Sequence, residues 1–361
     1  MRRACELAER GRGSTSPNPS VGAVVALGST TLGEGYHRVR GGAHAEVEAL
    51  RDAAARGNDV RGATIYVTLE PCDHTGLTPP CSLAVVDAGV VRAVVGAHDP
   101  NPRTAGGGVA RLRAAGVAVD VADDAWSQSL IEDFGRAVAR ERPYVRLKLA
   151  ASLDGRVAPR PGERHWLTGI ESREYVRELR AACDAVLVGA GTVRIDDPLL
   201  SVRPARARRR PYVRVVACER DPVPRDRAIF APLEGYARTI VLAPAGARAR
   251  FAELEAVADI VFCGEGDRLD LALALAALRQ RGIASVLCEG GPTLAQHLLE
   301  GGFVDRVDWL VAPALLGGPD AVAALAGGPG GVTLRFDRVE RLGPDVLLSA
   351  VLAEPSGGTL V

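Results

Sequence analysis

Apolar and polar positions along the chain fall into short blocks that switch between two periods. Residues 21–27 and 31–36 read as paired strands joined at Gly28, each a run of apolar and small side chains. From 44 to 55 the pattern becomes helical, with Val47, Leu50 and Ala54 predicted on one face. A strand at 64–68, a helix at 81–88 and a strand at 90–97 follow, then helix, strand and helix at 109–115, 117–121 and 125–140. Alternation of this kind predicts an α/β protein, a layered sheet covered by helices.

A charged stretch with a helix stop, Arg140-Glu141-Arg142-Pro143, precedes a fresh strand at 144–150. The domain boundary is placed there, giving domains 1–143 and 144–361. The second part predicts strands at 185–189, 212–218, 239–243, 260–262, 285–288 and 306–311, with helices at 271–281 and 292–300. Stretches 203–210 and 327–331 read as loops, and the end of the chain as frayed.

Length changes the picture little, because 361 residues already suggest two domains. Charge changes it more. The chain carries 44 basic and 44 acidic side chains, and residues 1–143 hold 16 against 17. A nucleic-acid partner, which needs clustered positive charge, is therefore not expected, and small-molecule substrates are. No uncharged apolar run is long enough to span a bilayer, and the basic start is broken by Glu6 and Glu9. The expectation is a cytoplasmic protein with no membrane partner. Seven scattered cysteines do not form a disulfide framework. Cys183, Cys218, Cys263 and Cys288 sit in or beside apolar runs and read as inert core thiols, whereas Cys72 and Cys81 lie in a polar, proline-rich loop.

That loop carries the chemistry. His44-Ala45-Glu46, Pro71-Cys72 and Cys81 supply one imidazole and two thiols, a set that leaves zinc an open fourth position for water. Two thiolates balance the Zn²⁺ charge, and a glutamate two residues from the histidine can stay off the metal and move protons. His44 and Cys81 both stand at predicted helix starts, where unpaired N–H groups favour thiolate and developing negative charge. Eight residues separate the cysteines, against two in the common deaminase pattern. A purely structural zinc site would need four protein ligands, and three are found.

In chain order, Pro17-Asn18-Pro19-Ser20-Val21-Gly22, Gly33-Glu34-Gly35-Tyr36-His37, His44-Ala45-Glu46, Thr68-Leu69-Glu70-Pro71-Cys72, Thr78-Pro79-Pro80-Cys81 and Asp99-Pro100-Asn101-Pro102 resemble one family. It is the bifunctional diaminohydroxyphosphoribosylaminopyrimidine deaminase / 5-amino-6-(5-phosphoribosylamino)uracil reductase family of riboflavin biosynthesis, in which the wide cysteine gap is usual. The second half is similar too, through Leu147-Lys148-Leu149-Ala150-Ala151-Ser152-Leu153-Asp154-Gly155-Arg156, Trp166-Leu167-Thr168-Gly169, Gly189-Ala190-Gly191-Thr192-Val193 and Glu289-Gly290-Gly291-Pro292-Thr293-Leu294. The resemblance implies a cytidine-deaminase-like three-layer domain followed by a dihydrofolate-reductase-like domain. It implies deamination at C2 of the pyrimidine with one zinc per chain, held by His44, Cys72 and Cys81 with Glu46 as the catalytic residue. It further implies NADPH-dependent reduction of the ribosyl group to ribityl, phosphoribosyl pyrimidines as the small-molecule substrates, and a homo-oligomer.

A strand, a glycine turn and a helix start with an early proline, at 285–293, expose backbone N–H groups to a phosphate. This is not the dinucleotide fingerprint of a Rossmann fold. By resemblance, NADPH contacts fall on Ala150, Trp166, Thr192, Asp196, Gly291, Pro292, Thr293, Leu294, Ala295, Gln296 and His297. Substrate contacts fall on Asn18, Arg164, Arg180, Leu200, Arg203 and Glu289, the arginines suiting phosphate oxygens. Three positions depart from the family: Leu77 where a basic residue is frequent, Arg164 in place of a serine, and Ala217-Cys218 in place of an Asp-Ser pair.

Overall fold

In the computed structural model, which describes residues 1–163, 165–202, 208, 210–327 and 332–352, Met1–Glu141 makes up one compact unit and the chain from Arg142 forms the bulk of a second.

The first unit runs α1 (Arg2–Glu9), β1 (Gly22–Leu27), β2 (Thr30–Tyr36), α2 (Ala45–Ala55), β3 (Thr64–Val67), α3 (Cys81–Asp87), β4 (Arg92–Val95), α4 (Gly107–Ala114), β5 (Ala118–Val121), α5 (Ala125–Leu130) and α6 (Glu132–Arg140). Its five-stranded sheet has the order β2-β1-β3-β4-β5, with β1 antiparallel to both neighbours and β3, β4 and β5 parallel. Alternation along β1 makes three layers. Ala23 and Val25 pack with Ala45, Ala49 and Ala53 of α2, while Val24 packs with Ala4 and Leu7 of α1. Glycine permits the close approach: a Cβ on Gly35 would lie 2.3 Å from the Ala49 nitrogen, and one on Gly22 would lie 2.0 Å from the Ala4 oxygen.

Two expectations change here. The buried stripe of α2 is Ala45, Ala49 and Ala53 with Glu46, while Ala54 is exposed. An alanine stripe lets the helix sit against the glycines of β2, and hydropathy alone ranks the larger Val47 and Leu50 above it. The predicted helix over 125–140 is two helices that meet at Ile131, whose φ of −114° breaks the ladder. Helix α1 and the long helix α7 below were not anticipated, because their charged side chains mask the apolar face.

The second unit runs β6 (Tyr144–Ser152), β7 (Arg156–Ala158), α7 (Ile170–Ala182), β8 (Ala185–Gly189), α8 (Ala190–Asp196), β9 (Val213–Ala217), β10 (Thr239–Ala243), β11 (Ala258–Phe262), α9 (Leu271–Gln280), β12 (Ser285–Cys288), α10 (Pro292–Glu300), β13 (Arg306–Ala312), β14 (Val322–Ala323), β15 (Leu334–Leu342) and β16 (Asp345–Leu352). The nine-stranded sheet has the order β11-β10-β9-β8-β12-β6-β13-β16-β15. It is parallel from β11 to β13 and antiparallel across β16 and β15. Both faces are covered, as parallel sheets require. Ala185 and Leu187 of β8 face α9 and α10, whereas Val186 and Val188 face Phe251 and Leu254. The chain leaves β8 through α8 toward β9 and leaves β12 through α10 past β6 to β13. Two neighbouring strands thus send their crossovers in opposite directions, and ligands of open α/β sheets bind outside the carboxyl ends at such a point.

Candidate functional site

His44 occupies the extended position immediately before α2, with φ −76° and ψ 168°, so its side chain is free of the helix while Glu46 lies in the first turn. Pro71 and Cys72 follow β3, and Cys81 is the first residue of α3. These connections bring His44 Nδ1 to 3.5 Å from Cys72 Sγ and 3.2 Å from Cys81 Sγ. The three donor atoms all lie within 4.8 Å of one another. Such spacings suit ligands about 2.0–2.3 Å from one tetrahedral zinc ion, and the donor set of one imidazole and two sulfurs fits that metal.

The surroundings set the charges. The Cys81 backbone N–H donates to Cys72 Sγ at 3.4 Å. Hydrogen bonding from Cys81 lowers the Cys72 thiol to about 4, and Cys81 is pushed upward by the same contact and by burial. His44 is raised by its bond to Cys72. Glu46 is buried, and desolvation lifts its carboxyl to about 7.

Sequence reasoning left His37 and Thr78 without a role. Thr78 Oγ1 lies 3.5 Å from His44 Nε2, on the far side of the ring from the sulfurs. The His37 ring is buried 5.0 Å from that of His44, edge to face, with Nδ1 3.0 Å from the Ala43 carbonyl and Nε2 3.4 Å from Asn18 Nδ2. Burial lowers the His37 pKa and keeps the ring neutral. Asn18 is thereby brought beside the His44 loop. Leu77, at the tip of the loop between the cysteines, is 76% exposed.

In the second unit a cavity of about 1100 Å³ opens at the carboxyl ends of β6, β8, β9 and β12. Ala150, Trp166, Thr192 and Asp196 line it, as do Gly291, Pro292, Thr293, Leu294 and His297. Ala295 packs in the core and Gln296 is buried with its amide donating to Glu300 at 2.5 Å, since consecutive helical positions cannot all face one cleft. Glu289, Arg180 and Leu200 also line the cavity. Arg164 and Arg203 lie outside the described residues. Ala217 faces the cavity, while Cys218 is fully buried in the core beneath it. Burial pushes Cys218 and Cys288 up to about 12, as inert thiols.

Arg180 and Glu289 were read separately, but they are one unit. Arg180 Nε donates to Glu289 Oε1 at 2.5 Å and Nη2 to Oε2 at 2.9 Å, while Nη1 donates to the Ser201 carbonyl at 3.1 Å. Burial alone would raise the Glu289 carboxyl, but Arg180 and, further off, Lys148 hold it low. Lys148, which lines the same cavity, was quoted within a motif and given no role. Its apolar strand neighbours gave no reason to single it out. Gly189, Gly290 and Gly291 keep the turns between β8 and β12 thin, and a Cβ on Gly290 would lie 2.7 Å from Leu294 Cδ2.

A three-layer α/β unit with a His-Cys-Cys cluster, followed by a nucleotide-binding kind of α/β sheet with a cleft at its switch point, defines a zinc deaminase joined to a second α/β enzyme. Family models agree on both parts. The cytidine and deoxycytidylate deaminase zinc-binding region matches residues 1–97, and the RibD C-terminal domain, of the dihydrofolate-reductase-like class, matches residues 143–348. The chain is 38% identical to the riboflavin biosynthesis protein RibD of Escherichia coli, over 97% of this chain and 98% of that one. It is 38% identical to RibD of Mycobacterium tuberculosis over 96% and 95% of the two chains. Among solved structures, Acinetobacter baumannii RibD superposes with a TM-score of 0.83 at 36% identity, covering 98% of each chain. A diaminohydroxyphosphoribosylaminopyrimidine deaminase/5-amino-6-(5-phosphoribosylamino)uracil reductase from Thermotoga maritima gives 0.84 at 34% identity, over 98% of this chain and 97% of that one. The chain belongs to the RibD family of riboflavin biosynthesis. It is a bifunctional enzyme, a zinc-binding deaminase and a reductase of the kind that uses NADPH. Among the described residues no helix is long and apolar enough to cross a membrane.

Proposed function

We propose that the first domain, residues 1–143, removes the C2 amino group of 2,5-diamino-6-(5-phosphoribosylamino)pyrimidin-4(3H)-one as ammonia. The second, residues 144–361, then reduces the ribosyl group of 5-amino-6-(5-phosphoribosylamino)uracil to ribityl with NADPH. The observation that carries the first step is the convergence of His44 Nδ1 and two cysteine sulfurs beside a buried carboxyl. The division of the chain near Glu141 and the start of the reductase family match at 143 support the boundary.

Zinc held by His44, Cys72 and Cys81 supplies Lewis acidity that makes a water nucleophilic near neutral pH. Glu46, fixed in the first turn of α2, would pass one proton from the attacking water to the ring nitrogen beside C2, and then the remaining hydroxyl proton to the amino group, which leaves as ammonia as the carbonyl forms. A carboxyl whose pKa stands at about 7 suits both directions of transfer. Asn18, oriented through His37, contacts the substrate, and Thr78 sets the tilt of the His44 ring.

In the second domain the thin turns at Gly189–Thr192 and Gly290–Gly291 admit the cofactor phosphates to the backbone, with the N-terminus of α10 facing them. Ala150, Trp166, Thr192, Asp196 and the cavity-facing residues of the 291–297 turn hold NADPH. Arg180, Glu289 and Leu200 hold the substrate, a role the resemblance also implies for Arg164 and Arg203. Lys148 joins Glu289 at the sugar, where a cation and a carboxylate orient the opening ribose. The enzyme is assigned to the cytoplasm, where buried thiols such as those of Cys218, Cys263 and Cys288 stay reduced. A homo-oligomer is supported by β15, an edge strand that exposes Phe336 and Val339.

The test supplies the diaminopyrimidine ribosyl phosphate with and without NADPH and follows ammonia and NADPH separately. Ammonia should appear without NADPH, and NADPH oxidation should require prior deamination. NADPH oxidation on the diamino substrate with no ammonia released would refute the proposed order.

A further inference from the structure

The Glu70 carboxylate is buried two residues before Cys72 and faces no metal donor. Its Oε2 accepts the backbone N–H of Asp99 at 3.3 Å and of Gly106 at 3.1 Å, and lies 3.4 Å from His98 Nδ1. Its Oε1 accepts the N–H of Val109, in the first turn of α4, at 3.0 Å. One side chain thus joins the loop that carries Cys72 to three separate points on the chain between 98 and 109.

Those points are themselves braced. The Asp99-Pro100-Asn101-Pro102 motif has no place in the deamination chemistry above, and the structure gives it one. Asp99 Oδ1 accepts the Asn101 N–H at 2.9 Å, and Asp99 Oδ2 accepts the Thr104 hydroxyl at 2.5 Å. Asn101 Oδ1 accepts the Arg103 N–H at 3.1 Å. The two prolines stiffen the turn further. Its outcome is a fixed spacing between the Asp99 and Gly106 N–H groups, both aimed at Glu70. On the other side of Cys72, Asp73 accepts the Ser82 hydroxyl at 2.6 Å and pairs with Arg111 of α4. At Gly108 a Cβ would lie 1.7 Å from the Pro71 carbonyl oxygen, so the start of α4 presses directly on the cysteine loop.

We propose that Glu70 is a positioning residue for the metal site: with the Asp99–Thr104 turn and α4 it forms a bracket that fixes Cys72 for zinc. This rests on the assignment of Cys72 as a zinc ligand. Carboxylate oxygens that receive three backbone N–H donors hold the loop in one place, and a rigid ligand loop slows metal release because the ligand cannot swing away unless the bracket opens. A side chain that only stabilised the fold would shift the unfolding midpoint without altering the ligand field.

The test uses the full chain. Glu70→Gln keeps the shape but points an N–H₂ group at N–H donors. Zinc transfer to a chromogenic chelator, well below the unfolding transition, should become at least about tenfold faster. In the cobalt-substituted protein the d–d bands should shift, and NADPH binding by the second domain should be unchanged. Thr104→Val removes one brace of the turn without touching Glu70, and should speed release about fivefold, the worth of one hydrogen bond. In the double variant the Thr104 effect should shrink, because the bracket is already open. If Glu70→Gln lacks a folded first domain, Thr104→Val decides alone. Release rates and cobalt spectra equal to those of the unaltered chain, in a protein that binds zinc, would overturn the bracket. An unaltered chain that binds no zinc would instead overturn the zinc assignment on which it rests.

Discussion

Glu46 shows how much one side chain depends on its surroundings. An ordinary glutamate is ionised well below neutrality, but burial against the His-Cys-Cys cluster lifts this one to about 7. Glu46→Gln keeps the volume and lies off the metal. It should therefore retain about one zinc per chain while ammonia release falls by about 10²-fold or more. Reduction of pre-deaminated substrate should persist, and an ammonia assay beside metal analysis checks both. The cysteines give the complementary case. With Cys72 and Cys81 both replaced by Ala, one imidazole remains, so zinc should be lost on dialysis. Metal analysis showing full occupancy would remove the site altogether.

At the scale of elements, β6 and β13 are clamped by a buried ionic pair as well as by their ladder. Arg146 of β6 pairs with Asp308 of β13, and Tyr175 of α7 donates its hydroxyl to Asp308 at 3.2 Å. Burial alone would raise the Asp308 carboxyl, but the Arg146 guanidinium holds it below the usual range. Asp308→Ala leaves a buried arginine unpaired and should cost the second domain about 3–5 kcal/mol, read by denaturant unfolding. Arg146→Met with Asp308→Leu should recover most of that, because neither charge then needs a partner. A carboxyl with a lowered folded pKa gives stability that is present above its unfolded value and lost as pH falls through the folded one. The unaltered domain should therefore weaken in acid from this pair, and the double variant should lack that component.

Across the whole molecule, the two compact units carry separate chemistry, and the group suited to zinc among the described residues lies in the first. A chelator should lower the thermal transition of the first unit and leave that of the second in place, measured by calorimetry with and without added zinc. A fragment beginning at Glu141 should fold without metal, bind NADPH and reduce the aminouracil ribosyl phosphate. A soluble fragment that binds NADPH and never reduces that substrate would show the second half to be misassigned.

The sequence alone determined the His44, Cys72 and Cys81 trio with Glu46, the glycine turns of the second unit, and most of the strands. Each is a local feature, a ligand at a helix start or an apolar run of fixed period, and needs no knowledge of distant neighbours. It did not show the alanine stripe of α2 or helix α7, because small or charged side chains hide a packing face that only a partner surface reveals. The β15–β16 hairpin also escaped it, since β15 lies at the sheet edge with polar side chains in solvent. Only the tertiary structure decided which polar residues meet. Arg180 and Glu289 stand 109 positions apart, and Glu70 reaches Val109 across 39. Buried polar groups must find partners wherever the fold brings them, and no periodicity along the chain records that choice.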